Sequence, residues 1–453
     1  MRFIKKFLVT VILLPFILSI ANGSELQLSL DQALSLAQKN DLSLATARLE
    51  VETGDAQVRE ATSAALPNVS ISGGLSHYMV VPKMYLPDPF MDGGGWITMG
   101  LPNDANASIS LQQPIWLAGK VGMALKAARI YQQIARDGLV SNRAKLKSDV
   151  IKEYFGFVLT QEVVKVTEEA LAQARRHAET VERMFNVGMA SEFDMLRAQV
   201  EVQSLVPGIA NARKNAELAR ISFCNRIGAN PDDNIILTDE LSDEIKQSRL
   251  LGKTEAFDAA RIVRPEFKVY NLKERLDKIS LKAEKRNIYW PNFTFGLNYR
   301  RNTSGQKISD MTDIADWPET FTWMLNAQIP LFDGFATPAK IQKAKIVLRR
   351  TKIEQTQLEQ NIRLEVSLTL SELKRAQDQL NSLKAALDLA KRALDIAETR
   401  YEQGVSTELE VLDSQLALRN TRLSYLQGLY DLRVANAEYA RVVENDDDFG
   451  GSK

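Results

Sequence analysis

Between Ile341 and Tyr401 the chain carries neither glycine nor proline. Apolar residues step through this stretch by three and four: Val366, Leu370 and Leu373, then Leu387, Ala390, Leu394, Ala397 and Tyr401. That is the spacing of one face of an α-helix, drawn out into a coiled-coil stripe. Some 65 helical residues at about 1.5 Å each reach on the order of 100 Å. No globular core needs such a helix. Beyond Gly404 a second stripe starts with Leu409, Leu412, Leu416, Leu423, Leu426 and Tyr430. The spacing therefore predicts a long antiparallel helical hairpin with its tip at Gly404.

The hairpin occurs twice. Phe185-Asn186-Val187-Gly188-Met189-Ala190-Ser191-Glu192-Phe193-Asp194-Met195-Leu196 aligns with Tyr401-Glu402-Gln403-Gly404-Val405-Ser406-Thr407-Glu408-Leu409-Glu410-Val411-Leu412, at an offset of 404 − 188 = 216. Upstream, Gln112-Gln113-Pro114-Ile115-Trp116 aligns with Gln328-Ile329-Pro330-Leu331-Phe332, and 330 − 114 is again 216. A third pair, Leu66-Pro67-Asn68-Val69 and Trp290-Pro291-Asn292-Phe293, stands at 224, so the halves differ by eight residues between Pro67 and Pro114. Exposed loops tolerate insertions and long packed elements do not, so the constant segment is read as helix, from about Val121 to Phe185 in the first half. Ser191 with Asp194, and Thr407 with Glu410, have the form of a capping box that restarts a helix after a turn.

Four segments have the opposite period. Phe293, Phe295, Leu297 and Tyr299 alternate with Thr294, Gly296, Asn298 and Arg300, and the same holds from Thr320 to Pro330. In the first half Val69, Ile71 and Leu75, then Ala107, Ile109 and Leu111, alternate with Ser, Gly, Asn and Gln. Each is a strand of roughly 10 residues, the length that crosses a bilayer when tilted. A half-buried strand in a soluble sheet has the same period, but here the polar faces carry almost no charge. Four strands cannot close a membrane barrel, since the smallest use about eight, and an open edge in hydrocarbon leaves backbone groups without partners. Transmembrane strands would thus require subunits that share a barrel, with eight strands from two protomers or twelve from three.

The N-terminus supports a membrane destination. Arg2, Lys5 and Lys6 precede an apolar run from Phe7 to Ile20 and the small residues Ala21-Asn22-Gly23, the pattern of a cleavable secretory signal. No cysteine follows to carry a lipid anchor, and no second long apolar stretch occurs. Lys plus Arg and Asp plus Glu both number 57, so the excess of positive charge that a nucleic-acid partner requires is missing. One cysteine, Cys224, and two histidines, His77 and His177, exclude a disulfide scaffold and leave few ligands for zinc or copper. No phosphate-binding glycine loop, H-E-x-x-H or G-x-S-x-G motif is present. The expectation is a non-enzyme without metal or cofactor.

The order of signal, helix, strand-loop-strand, long helix, glycine turn and helix, repeated once, resembles the TolC-type outer-membrane efflux channels. The resemblance covers about Glu25 to Glu444 and is most specific at Phe185 to Met189, at Tyr401 to Gly404 with Glu410-Val411-Leu412-Asp413, and at the two strand-to-helix junctions. It implies a mainly α fold with a transmembrane β-barrel portion: a homotrimer with a shared twelve-stranded barrel in the outer-membrane lipid and a periplasmic helical tunnel. It further implies docking to a periplasmic adaptor and an inner-membrane transporter, in drug, metal or protein export. The hairpin tips at Val187, Gly188, Met189, Gly404 and Val405 fall at the adaptor contact, and Asp194, Tyr401, Glu410 and Asp413 at the periplasmic gate. Glu410 and Asp413, three apart, share a helix face and would stack as two acidic rings in a trimer. Helix capping is the competing reading of Asp194 and Glu410, and a solvated face that of Asp413. The family's tip lock uses an arginine two residues after the glycine, where this chain has Ser406, so the lock differs or another basic residue serves.

The resulting division is a signal at 1–23, a first repeat at 24–230, a linker or equatorial segment at 231–254, a second repeat at 255–445 and a disordered acidic tail at 446–453. Met79 to Asn106, rich in Pro and Gly, is read as an irregular extracellular loop. Its Met79, Met84, Met91 and Met99 are either apolar filling or thioether ligands for Cu(I). Aromatics at Trp116, Tyr289, Trp290, Trp317, Trp323 and Phe332 fit membrane-interface girdles near strand ends. The rival architecture is a periplasmic coiled-coil scaffold or adhesin stalk with a small soluble sheet.

Overall fold

A computed structural model describes residues 26–90, 92–233, 235–242, 250–287 and 290–443. The signal at 1–23, Met91, the acidic residues Asp243 and Glu244, Tyr289 and the tail at 446–453 lie outside the described residues. The elements run β1 (Leu26–Leu28), α1 (Leu30–Asn40), α2 (Leu42–Ser63), β2 (Asn68–His77), β3 (Lys83–Leu86), β4 (Gly95–Thr98), β5 (Asn103–Leu117), α3 (Lys120–Asn186) and α4 (Glu192–Ile227). They continue with β6 (Ile235–Leu237), α5 (Lys253–Val263), α6 (Pro265–Lys285), β7 (Asn292–Gly305), β8 (Glu319–Gln328), α7 (Ala336–Glu402) and α8 (Glu408–Val443).

The duplication read from the sequence reappears in the helix ends. Helices α3 and α7 have 67 residues each, and α4 and α8 have 36 each. All four pairs of bounds stand 216 apart: 336 − 120, 402 − 186, 408 − 192 and 443 − 227. The strand-to-helix turns share the offset too, with positive φ at Ala118 and Gly119 in one copy and at Gly334 and Phe335 in the other. The eight-residue difference lies between strand starts, 103 − 68 = 35 in the first copy against 319 − 292 = 27 in the second.

Four expectations need correction. The segment from Met79 to Asn106 is not wholly irregular: β3 and β4 form an antiparallel hairpin, with Met84 opposite Ile97 and Tyr85 stacked edge-on with Trp96 at 5.5 Å. Strand β5 already begins at Asn103. The single helix expected before each strand pair is two helices, broken at Asp41 in the first copy and at Arg264-Pro265 in the second, where proline removes an amide donor. The stripe assigned to α8 holds only in part: Leu426 is buried as expected, but Leu409 and Leu416 are exposed, while Val411, Leu429 and Leu432, outside the stripe, are buried. That helix has apolar residues on two faces, so periodicity alone could not choose between them. The stripe on α7 held, with Val366, Leu370, Leu373, Leu387, Leu394 and Ala397 all buried.

Two compact units divide the chain, each drawing on both repeats. One comprises, among the described residues, 26–41, 145–242 with Leu250, and 369–441. In its core Tyr154 packs against Phe155 and Phe223. The Tyr154 hydroxyl donates to the Asp239 carboxylate at 2.7 Å, and β1 pairs in parallel with β6. The other comprises the described residues of 42–144 and 251–368, with Val442 and Val443. There α2 and α3 meet at Gly54, where an added Cβ would lie 2.9 Å from the Gln132 Cα. Arg264, nearly buried, pairs with Glu266 and Glu365. This unit also holds the four-stranded antiparallel sheet, ordered β2-β5-β7-β8, in which the central pairing joins the two repeats.

Candidate functional site

The sheet register sorts side chains into rows that cross all four strands. Val69, Leu111, Leu297 and Trp323 form one row, and Ile71, Ile109, Tyr299 and Phe321 another. Both are apolar and lie on the same face, because side chains two residues apart on a strand point the same way. The alternate rows are Ser70, Ser110, Asn298 and Thr322, then Ser72, Ser108, Arg300 and Thr320. Serine hydroxyls bond across the strands at 2.8 Å in both Ser70–Ser110 and Ser72–Ser108. The apolar face is uncovered at Ile71 (79% exposed), Phe321 (66%) and Trp323 (70%). A face this apolar and open suits hydrocarbon rather than water. Among the described residues, β2 and β8 have no further strand partner on their outer edges. Of the expected girdle aromatics, Trp116 and Trp290 sit at strand ends, with Arg286 stacked 5.2 Å from the Trp290 ring. Trp323 instead lies mid-strand in an apolar row, and β8 stops at Gln328, two residues before Pro330, which has no amide to donate.

At the hairpin tips the two repeats make the same turn. Gly188 N donates to Phe185 O and Met189 N to Met184 O, and Gly404 N donates to Tyr401 O and Val405 N to Arg400 O, at 2.8–3.0 Å. This is the Schellman arrangement, whose left-handed residue favours glycine. Gly188 has φ +78° and Gly404 φ +71°. The turns leave Val187, Met189 and Val405 exposed at 69%, 72% and 61%, the apolar tips that the sequence singled out.

The structure gathers only part of the proposed gate. Ser191 and Asp194 form the full reciprocal cap, with Asp194 N donating to Ser191 Oγ at 3.1 Å and Ser191 Oγ donating to Asp194 Oδ2 at 2.7 Å. The Ser191 hydroxyl holds the Asp194 carboxyl below its ordinary range. The second box is half made: Glu410 N donates to Thr407 Oγ1 at 3.4 Å, but the Glu410 carboxylate accepts from Ser406 Oγ at 2.6 Å. Ser406 thus ties the Glu410 carboxylate locally, at the head of its own helix. The basic residue facing the tip carboxylates is Arg197, whose charge acts on both Asp194 and Glu408. Glu410 and Asp413 are exposed on α8. Tyr401 is half-buried, its hydroxyl pushed up by burial and by the charges of Glu408 and Asp194.

Sequence reasoning missed two residues that meet these groups. Glu408 is 4% exposed, and its carboxylate lies 3.9 Å from the Nε2 of His177. His177 also packs 5.5 Å from the Tyr401 ring. Burial, then the neighbouring Asp194, push the Glu408 carboxyl up from 4.5 to about 7, while burial lowers His177. His177 falls on the stripe of Leu171, Ala174 and Val181, which points to burial, whereas Glu408, three residues before the fully buried Val411, carries no such mark in the sequence.

Long helices and a four-stranded antiparallel sheet with one polar and one apolar face define a mainly helical protein whose sheet leaves an apolar face uncovered. Residues 33–228 and 278–442 match the family model described as outer membrane efflux protein, and the chain belongs to that family of the outer membrane. It is 23% identical over 415 residues to the cobalt-zinc-cadmium resistance protein CzcC of Cupriavidus metallidurans, covering 88% of this chain and 86% of that one. It is 22% identical over 410 residues to the outer membrane efflux protein BepC of Brucella suis, covering 90% and 83%. A crystal structure of CusC, determined to follow folding and transmembrane channel formation, shares the fold at a TM-score of 0.76 over 92% of each chain, with 17% identity. Among the described residues no helix is long and apolar enough to cross a membrane.

Proposed function

We propose that this protein is the outer-membrane channel of a tripartite efflux or type I secretion system. In this reading three protomers each contribute β2, β5, β7 and β8 to one twelve-stranded barrel, which continues into a periplasmic helical tunnel. The observation that carries the reading is the sheet itself, four strands with two open edges and an exposed apolar face. Open edges in hydrocarbon strand backbone donors and acceptors at several kcal/mol each, about 4–8 on the least polar scale. Closure with other copies removes that cost.

Sequence repeats at 24–230 and 255–445, joined by the segment 231–254, supply the two halves of each protomer. Val187, Gly188, Met189, Gly404 and Val405 form the apolar contact for a periplasmic adaptor, which couples the channel to an inner-membrane transporter. Asp194, Tyr401, Glu410 and Asp413 line the closing end, with Arg197 in place of the family arginine. Energy for export comes from the transporter, and the protein itself catalyses no reaction. The test is detergent extraction of outer membranes, an unheated gel and conductance in planar bilayers. A heat-sensitive trimer that forms ion-conducting pores is expected. Release into the soluble periplasm as a monomer would refute the reading and favour a coiled-coil scaffold.

A further inference from the structure

The most unusual group outside the roles above is Glu408. Its side chain is 2% exposed and that of His177 is 9% exposed. Among the described residues, neither Glu408 oxygen nor His177 Nε2 has a hydrogen-bond partner as an ionised carboxylate and a neutral ring would require. A buried carboxylate in that condition is costly. Asp194 stands within hydrogen-bonding reach of Glu408, yet two carboxylates can bond only when one holds a proton. Asp194 is already committed as an anion to the Ser191 hydroxyl and amide. The proton therefore belongs on Glu408.

Charged and titratable groups approach the pair from every packed element. Helix α3 brings Arg176 beside His177, α4 brings Asp194 and Arg197, α7 brings Glu398, Tyr401 and Glu402, and α8 contributes Glu408, with Glu410 two residues on and exposed. Glu398 is held by Gln173 at 3.0 Å and Gln415 at 3.5 Å. A cavity of about 230 Å³, lined by Gln173, His177, Thr180, Glu398 and Tyr401, is large enough to admit water to the imidazole.

We propose that Glu408 and His177 act as a compensating proton pair at the hairpin tip: a carboxylic acid beside a neutral imidazole while the tip is packed, and a carboxylate beside an imidazolium once it parts. On opening, Glu408 releases one proton and His177 takes one up, directly or through solvent, so the proton count is unchanged. The two signs follow from linkage. Glu408, raised from 4.5, gives stability that is complete below pH 4.5 and is lost as pH rises through about 7. His177, lowered from 6.5, gives stability that is lost as pH falls below 6.5. Just below pH 6.5 both act, with opposite slopes. Within that window the pair keeps the tip free of buried charge without making its opening depend on external pH, and above it the Glu408 slope stands alone. That consequence for conduction rests on the channel reading, whereas the pairing itself concerns only tip packing.

The test is hydrogen exchange of the tip amides, 184–194 and 400–410, in the intact protein between pH 5 and 7, corrected for intrinsic exchange. Four forms are compared: wild type, Glu408→Gln, His177→Gln and the double variant. In His177→Gln, opening should grow with rising pH, by up to about tenfold per unit for one proton. In Glu408→Gln it should grow as pH falls below 6.5, and in the double variant and wild type the slope should be smaller than in either single form. A single variant that keeps the wild-type slope overturns the pairing. Should a variant fail to fold, infrared titration of the wild type reads the same proton: a protonated carboxyl persisting to about pH 7 is expected, and its absence at pH 6 overturns the proposal. Exchange is read whether or not the protein conducts, so failure here is distinct from failure of the channel reading.

Discussion

The row structure of the sheet makes two neighbouring positions on β2 behave oppositely when each receives the same side chain. Ile71 stands in the apolar row with Ile109, Tyr299 and Phe321 and is 79% exposed, and Ser70 stands in the polar row, bonded to Ser110 at 2.8 Å. Ile71→Arg would place a guanidinium against hydrocarbon near the middle of the strand. Such a change costs about 2–4 kcal/mol at the bilayer midplane. Three symmetry-related copies, taken as independent, bring the total to about 6–12 kcal/mol for the trimer. Even the lower figure is roughly a ten-thousand-fold loss in assembly. Ser70→Arg would instead project into the aqueous lumen and lose one hydroxyl bond, about 1 kcal/mol per protomer. The assay is the fraction of heat-sensitive trimer on unheated gels of outer membranes, followed by bilayer recording. Ile71→Arg should give little or no trimer. Ser70→Arg should give normal trimer with reduced cation preference. Equal assembly of the two variants, or loss of trimer only in Ser70→Arg, would refute the assignment of faces.

Three further outcomes are expected. Gly54→Ala should lower the thermal midpoint, because a Cβ 2.9 Å from the Gln132 backbone costs about 1–3 kcal/mol in overpacking, more than the roughly 1 kcal/mol of helix propensity gained. Arg264→Ala should destabilise its unit in urea melts by about 2 kcal/mol, below the 3–5 of a fully buried pair, since Glu266 and Glu365 keep 30% and 33% exposure. Ser191→Ala should raise exchange at the first tip by about fivefold, from a cap worth roughly 1 kcal/mol. Asp194 is held below its ordinary 3.8, so its stabilisation is present above that value and lost as pH falls through the lowered one. The deficit of Ser191→Ala should therefore shrink toward pH 3.

Much of the site was legible as spacing. Gly188 and Gly404 were found as tips because a left-handed turn after a long uninterrupted stripe leaves few residue choices. The alternation at Val69 to Leu75 and Phe293 to Tyr299 already separated the two sheet faces. Glu408 was not legible as special. Three residues after a turn a glutamate is commonplace, and only the packing of α3 and α7 over that position removes its water. Arg197 stands one turn after Asp194, but nothing along the chain says that it also faces Glu408 of the other hairpin.

The sequence by itself determined the local repeats: two hairpins of equal length, four strands of period two and the turns between them. These are set by backbone preference and by the apolar pattern of neighbouring residues. Tertiary structure decided which residues of α8 are buried, that β5 pairs with β7 to join the repeats, and that a carboxyl and an imidazole share a buried corner. Each depends on desolvation by residues distant in the chain, and the free energy of a charged group is governed by that surrounding rather than by its place in the sequence.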